Sequence, residues 1–131
     1  MIGLDTNIVL GLLLNDAPEQ NATLDALLAE FGTEPESLRL TDVVLAEVIW
    51  TLRSAYGQDK AAQLLALRSL LGEAAFRFEE RTVVEQAVTL FEQAACGFAD
   101  CLVTARHAHL GCAFTATFDR AMRRIPGVRV L

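Results

Sequence analysis

Four acidic residues stand in stretches of sequence that otherwise carry no charge. Asp5 is alone within residues 1–15, Glu47 within 43–52 and Asp100 within 93–105, and Asp119 closes the uncharged run 113–118. Desolvating an unpaired carboxylate costs several kcal/mol, on the order of the net stability of a whole domain, so each of these acids needs an ion or a hydrogen-bond donor. Asp5, Asp100 and Asp119 fall at expected strand-to-helix junctions. Each has a local use available there, as a helix cap for Asp5 and Asp100 and as a turn start for Asp119. Glu47 has no such use: it sits near the middle of an expected helix, read here as looking inward, and the nearest basic residue, Arg53, lies on another face. Three strand-end acids and one helix acid can converge on one edge of a parallel sheet. A donor set of oxygens alone, with no Cys or His, favours Mg²⁺ or Mn²⁺ over Zn²⁺. Such an ion lowers the pKa of a bound water and offsets charge on a phosphoryl oxygen, and a pair of ions would clamp an in-line displacement.

Other chemistries lack their residues. There is no G-x-S-x-G nucleophile turn, no G-x-x-x-x-G-K phosphate loop and no G-x-G-x-x-G dinucleotide turn. Receiver-type or aspartyl-phosphate chemistry is disfavoured, because the sole lysine is Lys60, on an expected helix, and no second Asp stands two residues after Asp5. Cys96, Cys101 and Cys112 are odd in number, lack C-x-x-C spacing and sit in apolar surroundings, which predicts reduced, buried thiols. His107 and His109 fall on different faces of an expected helix, so no zinc site is expected. No basic n-region precedes the first apolar stretch, and the uncharged run 6–15 is far too short to span a bilayer; a cytoplasmic protein without a membrane segment is expected.

These side chains must be positioned by a single domain, residues 1–131, since the length leaves no room for a second core. With 53% hydrophobic residues and a mean hydropathy of +0.34, the chain has the apolar content for a real core. Short apolar runs alternate with helical stripes. Strands are expected at 1–4, 38–40, 75–78, 113–118 and 128–131. Helices are expected from about 7–14, 16–31, 42–52, 59–72, 81–95 and 99–109, with a short basic helix after Asp119 and Gly72 as a helix-ending C′ residue. The order predicts an α/β fold, a three-layer α/β/α arrangement with a mainly parallel central sheet flanked by helices. In such sheets ligands bind outside the carboxyl ends of the strands, where Asp5 and Asp119 fall.

The net charge of −6 and pI near 4.8 at face value oppose a nucleic-acid partner. The charge is uneven, however. After residue 97 five arginines face two aspartates, a net of +3, which leaves −9 for residues 1–97. Arg120, Arg123 and Arg124 directly follow Asp119 and are candidates to hold backbone phosphates, with a solvated surface face as the alternative for each.

The opening Met-Ile-Gly-Leu-Asp5-Thr6-Asn7, the segment Asp42-Val-Val-Leu-Ala-Glu47-Val, the segment Phe98-Ala-Asp100-Cys-Leu-Val-Thr-Ala, and Thr115-Ala-Thr117-Phe-Asp119-Arg with the closing Gly127-Val-Arg-Val-Leu together resemble the PIN domain family over nearly the whole chain. At this length the likeness is greatest to VapC-type toxins of bacterial toxin–antitoxin pairs. The resemblance implies a metal-dependent endoribonuclease that hydrolyses RNA with a metal-activated water and leaves a 5′-phosphate and a 3′-hydroxyl. Asp5, Asp100 and Asp119 would hold Mg²⁺ or Mn²⁺, and Glu47 a second ion or a bound water. It also implies a homodimer and a small DNA-binding antitoxin whose C-terminal segment covers the site. Cys101, directly after Asp100, departs from many relatives, and some relatives carry a further acid near the last site. Thr6, Asn7 and Thr117 are candidates to orient a carboxylate or a bound water, with local turn hydrogen bonds as the alternative. The rival of another class is a catalytically silent PIN-like module whose acidic edge docks a partner's arginine.

Overall fold

A computed structural model describes residues 1–131. The elements follow the expected order: β1 (Ile2–Gly3), α1 (Thr6–Leu14), α2 (Pro18–Phe31), β2 (Leu38–Leu40), α3 (Asp42–Ser54), α4 (Lys60–Gly72), β3 (Phe76–Phe78), α5 (Arg81–Gln93), α6 (Phe98–His109), β4 (Thr115–Thr117), a 3-10 turn over Arg120–Met122, and β5 (Val128–Val130). Every strand pairing is parallel, as the alternation of strands and helices requires. The α/β class is therefore as expected. The chain divides into two compact units, Met1–Glu79 and Glu80–Leu131.

In the first unit the strand order is β1-β2-β3, with Ile2 opposite Leu38 and Leu38 opposite Phe76. Leu38 and Leu40 are fully buried, and Arg39 between them is not, because successive strand residues point to opposite faces. Three helices of this unit are started by a side chain at the residue just before them. The Asp5 carboxylate accepts the Thr6 N–H, the Thr41 hydroxyl accepts the Val44 N–H, and Asp59 accepts the Ala62 N–H. α1 packs on α2 and α3, and α3 on α4. The buried side of α3 is Leu45, Val48, Ile49 and Leu52, and that of α4 is Gln63, Leu64, Leu67 and Leu70. Gly72 is the last residue of α4 rather than a left-handed C′ residue. The chain leaves the helix through an extended Glu73, so no positive φ is needed there.

In the second unit β4 pairs with β5, Thr115 opposite Val128. α5 lays Val83, Val84, Ala87, Val88 and Phe91 inward and packs extensively on α6, with Phe91 and Phe98 edge to face at a centroid distance of 5.8 Å. Gly111 ends α6 at φ +83, which a residue with a Cβ adopts only with strain. The expected basic helix after Asp119 is only a 3-10 turn, and α5 stops at Gln93 because Ala94 is already extended. Cys101 is buried and Cys96 partly so. Cys112, expected to be buried, is exposed, since it lies in the turn after Gly111 and before β4.

Leu67 is completely shielded at the centre of α4's inward face. Leu67→Ala should lower the unfolding free energy by roughly 2–5 kcal/mol through lost transfer energy and a residual cavity, measured as a shift in the urea midpoint at constant m.

Candidate active site

The first unit brings two of the expected acids together through one residue. Asp5 ends the loop after β1 and caps α1, its Oδ1 accepting the Thr6 N–H at 2.8 Å. The hydroxyl of the same threonine donates to Glu47 Oε2 at 2.7 Å. Thr6 therefore holds the strand-end acid with its backbone and the helix acid with its side chain. This bond is the signal that explains Glu47. The residue was expected to look inward, but it is exposed, because the face of α3 that packs is the one bearing Leu45, Val48, Ile49 and Leu52. Its lack of a basic neighbour reflects a hydroxyl partner from α1. Asp5, at the end of the short β1, is exposed too. Asn7 is exposed in the first turn of α1.

One acid at this edge escaped the sequence reading. Glu79 follows the end of β3, and its Oε1 accepts the Asp42 backbone N–H at 3.1 Å, at the start of α3. The rule that singled out Asp5 and Asp119, an acid at the carboxyl end of an apolar strand, would have found it. It was hidden by its neighbour Glu80, which makes the stretch look like ordinary polar surface.

The second unit brings together the other two. Gly97 occupies the cap position of α6, so Asp100 lies in the first helical turn instead of capping it. Burial pushes the Asp100 carboxyl above the usual carboxylate range, and the negative charge of Asp119 pushes it further; a hydrogen bond with the Gly97 backbone acts in the opposite direction. Asp119 is exposed and tightly braced: its N–H donates to Thr117 Oγ1 at 3.0 Å, and its Oδ1 accepts the Ala121 N–H at 2.9 Å. The turn uses expected for Asp119 and Thr117 are thus present, and they leave one Asp119 oxygen unused by those bonds. Cys96 reports on the same field. Its thiol is raised first by burial and then by the charges of Asp100 and Asp119, while a contact with Cys101 at 4.0 Å opposes the rise.

The arginines after Asp119 are exposed. Arg123 and Arg124 line a cleft of about 510 Å³ whose walls include Leu90, Gln93, Ile125 and Pro126, and no acid contributes to it. Arg106 and His109 are engaged elsewhere, both meeting Glu80, and Arg129 lies 3.8 Å over the Phe114 ring. His107 Nδ1 meets Thr115 Oγ1 at 2.9 Å.

The residues suit a hard divalent cation. All four acids offer only oxygen, three of them are exposed, and Asp100 and Asp119 carry a mutual repulsion that a cation would relieve. No group of three or more His, Cys, Asp or Glu side chains that could hold a metal ion is gathered in the structure.

The PIN domain family profile matches residues 2–128. A curated relative, a VapC ribonuclease of Aquifex aeolicus (strain VF5), is 21% identical over 122 residues, spanning 93% of this chain and 90% of its own. Among solved structures, a toxin–antitoxin complex from Klebsiella pneumoniae aligns over 99% of this chain and 97% of its own at 19% identity, with a TM-score of 0.36.

Because folding raises the Asp100 pKa, the native state holds that proton more tightly than the unfolded chain does. The cost to stability is absent below the unfolded value, grows as pH rises and is complete above the folded value. In metal-free buffer Asp100→Asn should therefore raise the thermal midpoint at neutral pH and lose that advantage as pH falls through the carboxylate range. Asp119→Asn should move the Asp100 titration, followed by carboxyl NMR, part of the way down and not fully, since burial remains.

Proposed function

The chain belongs to the PIN domain family, and from that membership we propose that it is a metal-dependent endoribonuclease of the VapC toxin type, held in check by a cognate antitoxin. The observation that carries the reading is the Asp100–Asp119 pair: burial and then the negative charge of Asp119 push the Asp100 carboxyl above the usual carboxylate range, the setting a bound cation would relieve. The ribonuclease named among its relatives, similar over 93% of the chain, supports the same assignment.

In this proposal residues 1–131 act as one nuclease domain whose candidate metal ligands are Asp5, Glu47, Asp100 and Asp119. Asp5, Asp100 and Asp119 would hold Mg²⁺ or Mn²⁺, and Glu47 a second ion or a water. When bound, the metal supplies a water of lowered pKa and positive charge opposite the phosphoryl oxygens. The protein's own contribution is to fix the acids. Thr6 orients Glu47 and takes up one Asp5 oxygen, Thr117 sets the backbone from which Asp119 projects, and Asn7, one turn position from Asp5, is available to a water or a carboxylate. Arg120, Arg123 and Arg124 hold phosphates of the RNA strand beyond the scissile bond. Hydrolysis by water leaves a 5′-phosphate and a 3′-hydroxyl. The antitoxin's C-terminal segment covers the acids, and the toxin acts as a homodimer in the cytoplasm. No helix is long and apolar enough to cross a membrane.

Protein freed of antitoxin should cut RNA with Mg²⁺ or Mn²⁺ and stop on addition of a chelator. Asp5→Asn keeps a good helix cap, so it should fold normally while kcat/KM falls at least about 100-fold; undiminished metal-dependent cutting by this variant would sink the assignment, and a folded protein that binds its partner yet never cuts RNA would point to a silent docking module. Thr6→Val should cut kcat/KM about 10- to 100-fold by releasing Glu47. Cleavage should weaken steeply between about 50 and 200 mM salt, and less steeply once Arg123 and Arg124 are both alanine.

A further inference from the structure

The outward face of α3 carries more than Glu47. Val43 and Trp50, four residues before Glu47 and three after it, are 66% and 63% exposed, and Arg53, three residues beyond Trp50, is exposed as well. The opposite face of the helix does the packing. Residues three and four apart on a helix are neighbours, with Cβ atoms about 5–6 Å apart. Glu47, Trp50 and Arg53 therefore form a row of carboxylate, indole and guanidinium, about 4.5 Å of helix axis from one to the next.

Trp50 is the only tryptophan in the chain, and it displays its ring to solvent one helical turn from an acid held in place by Thr6. A protein partner seeking an apolar surface would meet a carboxylate between Val43 and Trp50. A nucleic-acid strand has the matching sequence of groups: a phosphate neutralised at the acids through a cation, a flat base, and a further phosphate for a guanidinium. Stacking on aromatic rings accepts any base and is how proteins without sequence preference grip single strands.

Resting on the nuclease reading above, we propose that Trp50 is a stacking platform for a base of the single-stranded RNA substrate next to the scissile phosphate, with Arg53 holding the following phosphate. The row thereby adds a substrate-binding subsite on α3 and selects unpaired RNA, since a base within a duplex cannot present its face to the indole.

The test uses the full-length protein and a short single-stranded oligoribonucleotide in Mg²⁺. Trp50→Ala should raise KM about 5- to 150-fold with kcat changed far less, and Trp50→Phe should restore most of the binding. Arg53→Ala should raise KM modestly and flatten its salt dependence, an effect loss of fold would not produce. In the non-cutting Asp5→Asn protein, adding the oligoribonucleotide should quench the single tryptophan's fluorescence, and a duplex of the same sequence should not. Wild-type protein that cuts RNA while Trp50→Ala cuts it with unchanged KM overturns the subsite and leaves the nuclease reading intact. Wild-type protein that cuts no RNA with any divalent metal removes the nuclease reading, and this subsite with it. A Trp50→Ala protein that turns from dimer to monomer in sedimentation, with unquenched fluorescence in the Asp5→Asn protein, assigns the face to a second copy and overturns the proposal.

Discussion

Like charges repel, and the four candidate acids belong to a chain that is already acidic. Each of them is held by a donor or a backbone partner at a helix or turn start: Asp5 and Glu47 by the two polar groups of Thr6, Asp119 by the Ala121 N–H, and Asp100 by the backbone at Gly97. These bonds are local, so each acid is fixed by the element that carries it or by the next one in the sequence neighbourhood, apart from Glu47, whose partner lies 41 residues away. That long-range bond makes the position of Glu47 depend on how α1 and α3 pack, and it links the hydrophobic faces of those helices to the orientation of one carboxylate oxygen. A core substitution between the two helices thus reaches the site through geometry rather than through charge.

Much of the architecture was legible because the relevant signals are local. Strand β2, the starts of α3 and α4 and the stripe of α5 depend on cap residues and apolar periodicity, which a linear reading contains. Asp5, Asp100 and Asp119 were singled out by isolation in uncharged surroundings, and Thr6 as a side chain that could orient a carboxylate, as its bond to Glu47 does, whereas Thr117 makes the local turn bond, accepting from the Asp119 N–H. Burial was the poor guide. Of the four acids only Asp100 is substantially shielded, whereas Asp5, Glu47 and Asp119 are exposed. An uncharged stretch of sequence means a buried face, not a buried residue; on α3 the same stretch that hides Leu45 and Val48 displays Glu47 and Trp50. Glu79 was missed for the converse reason, being a strand-end acid beside another acid.

The charge balance also changes meaning in the structure. Net charge summed over the chain describes its behaviour far from any partner, while a phosphate within a Debye length responds to the groups in front of it. Part of the arginine excess near the C-terminus is already committed, Arg106 to Glu80 and Arg129 to the ring of Phe114, which leaves Arg120, Arg123 and Arg124 facing solvent and a cleft without acids.

The turn that carries Cys112 has a practical side. Its thiol stands in solvent, while Cys101 is sealed in the core and Cys96 is partly covered, burial pushing its thiol pKa up. A maleimide dye or spin label would be directed to one place, three residues before β4. The same exposure makes the purified protein prone to covalent pairing in air, so a dimer seen without reductant should first be checked for a disulfide between two copies of this loop.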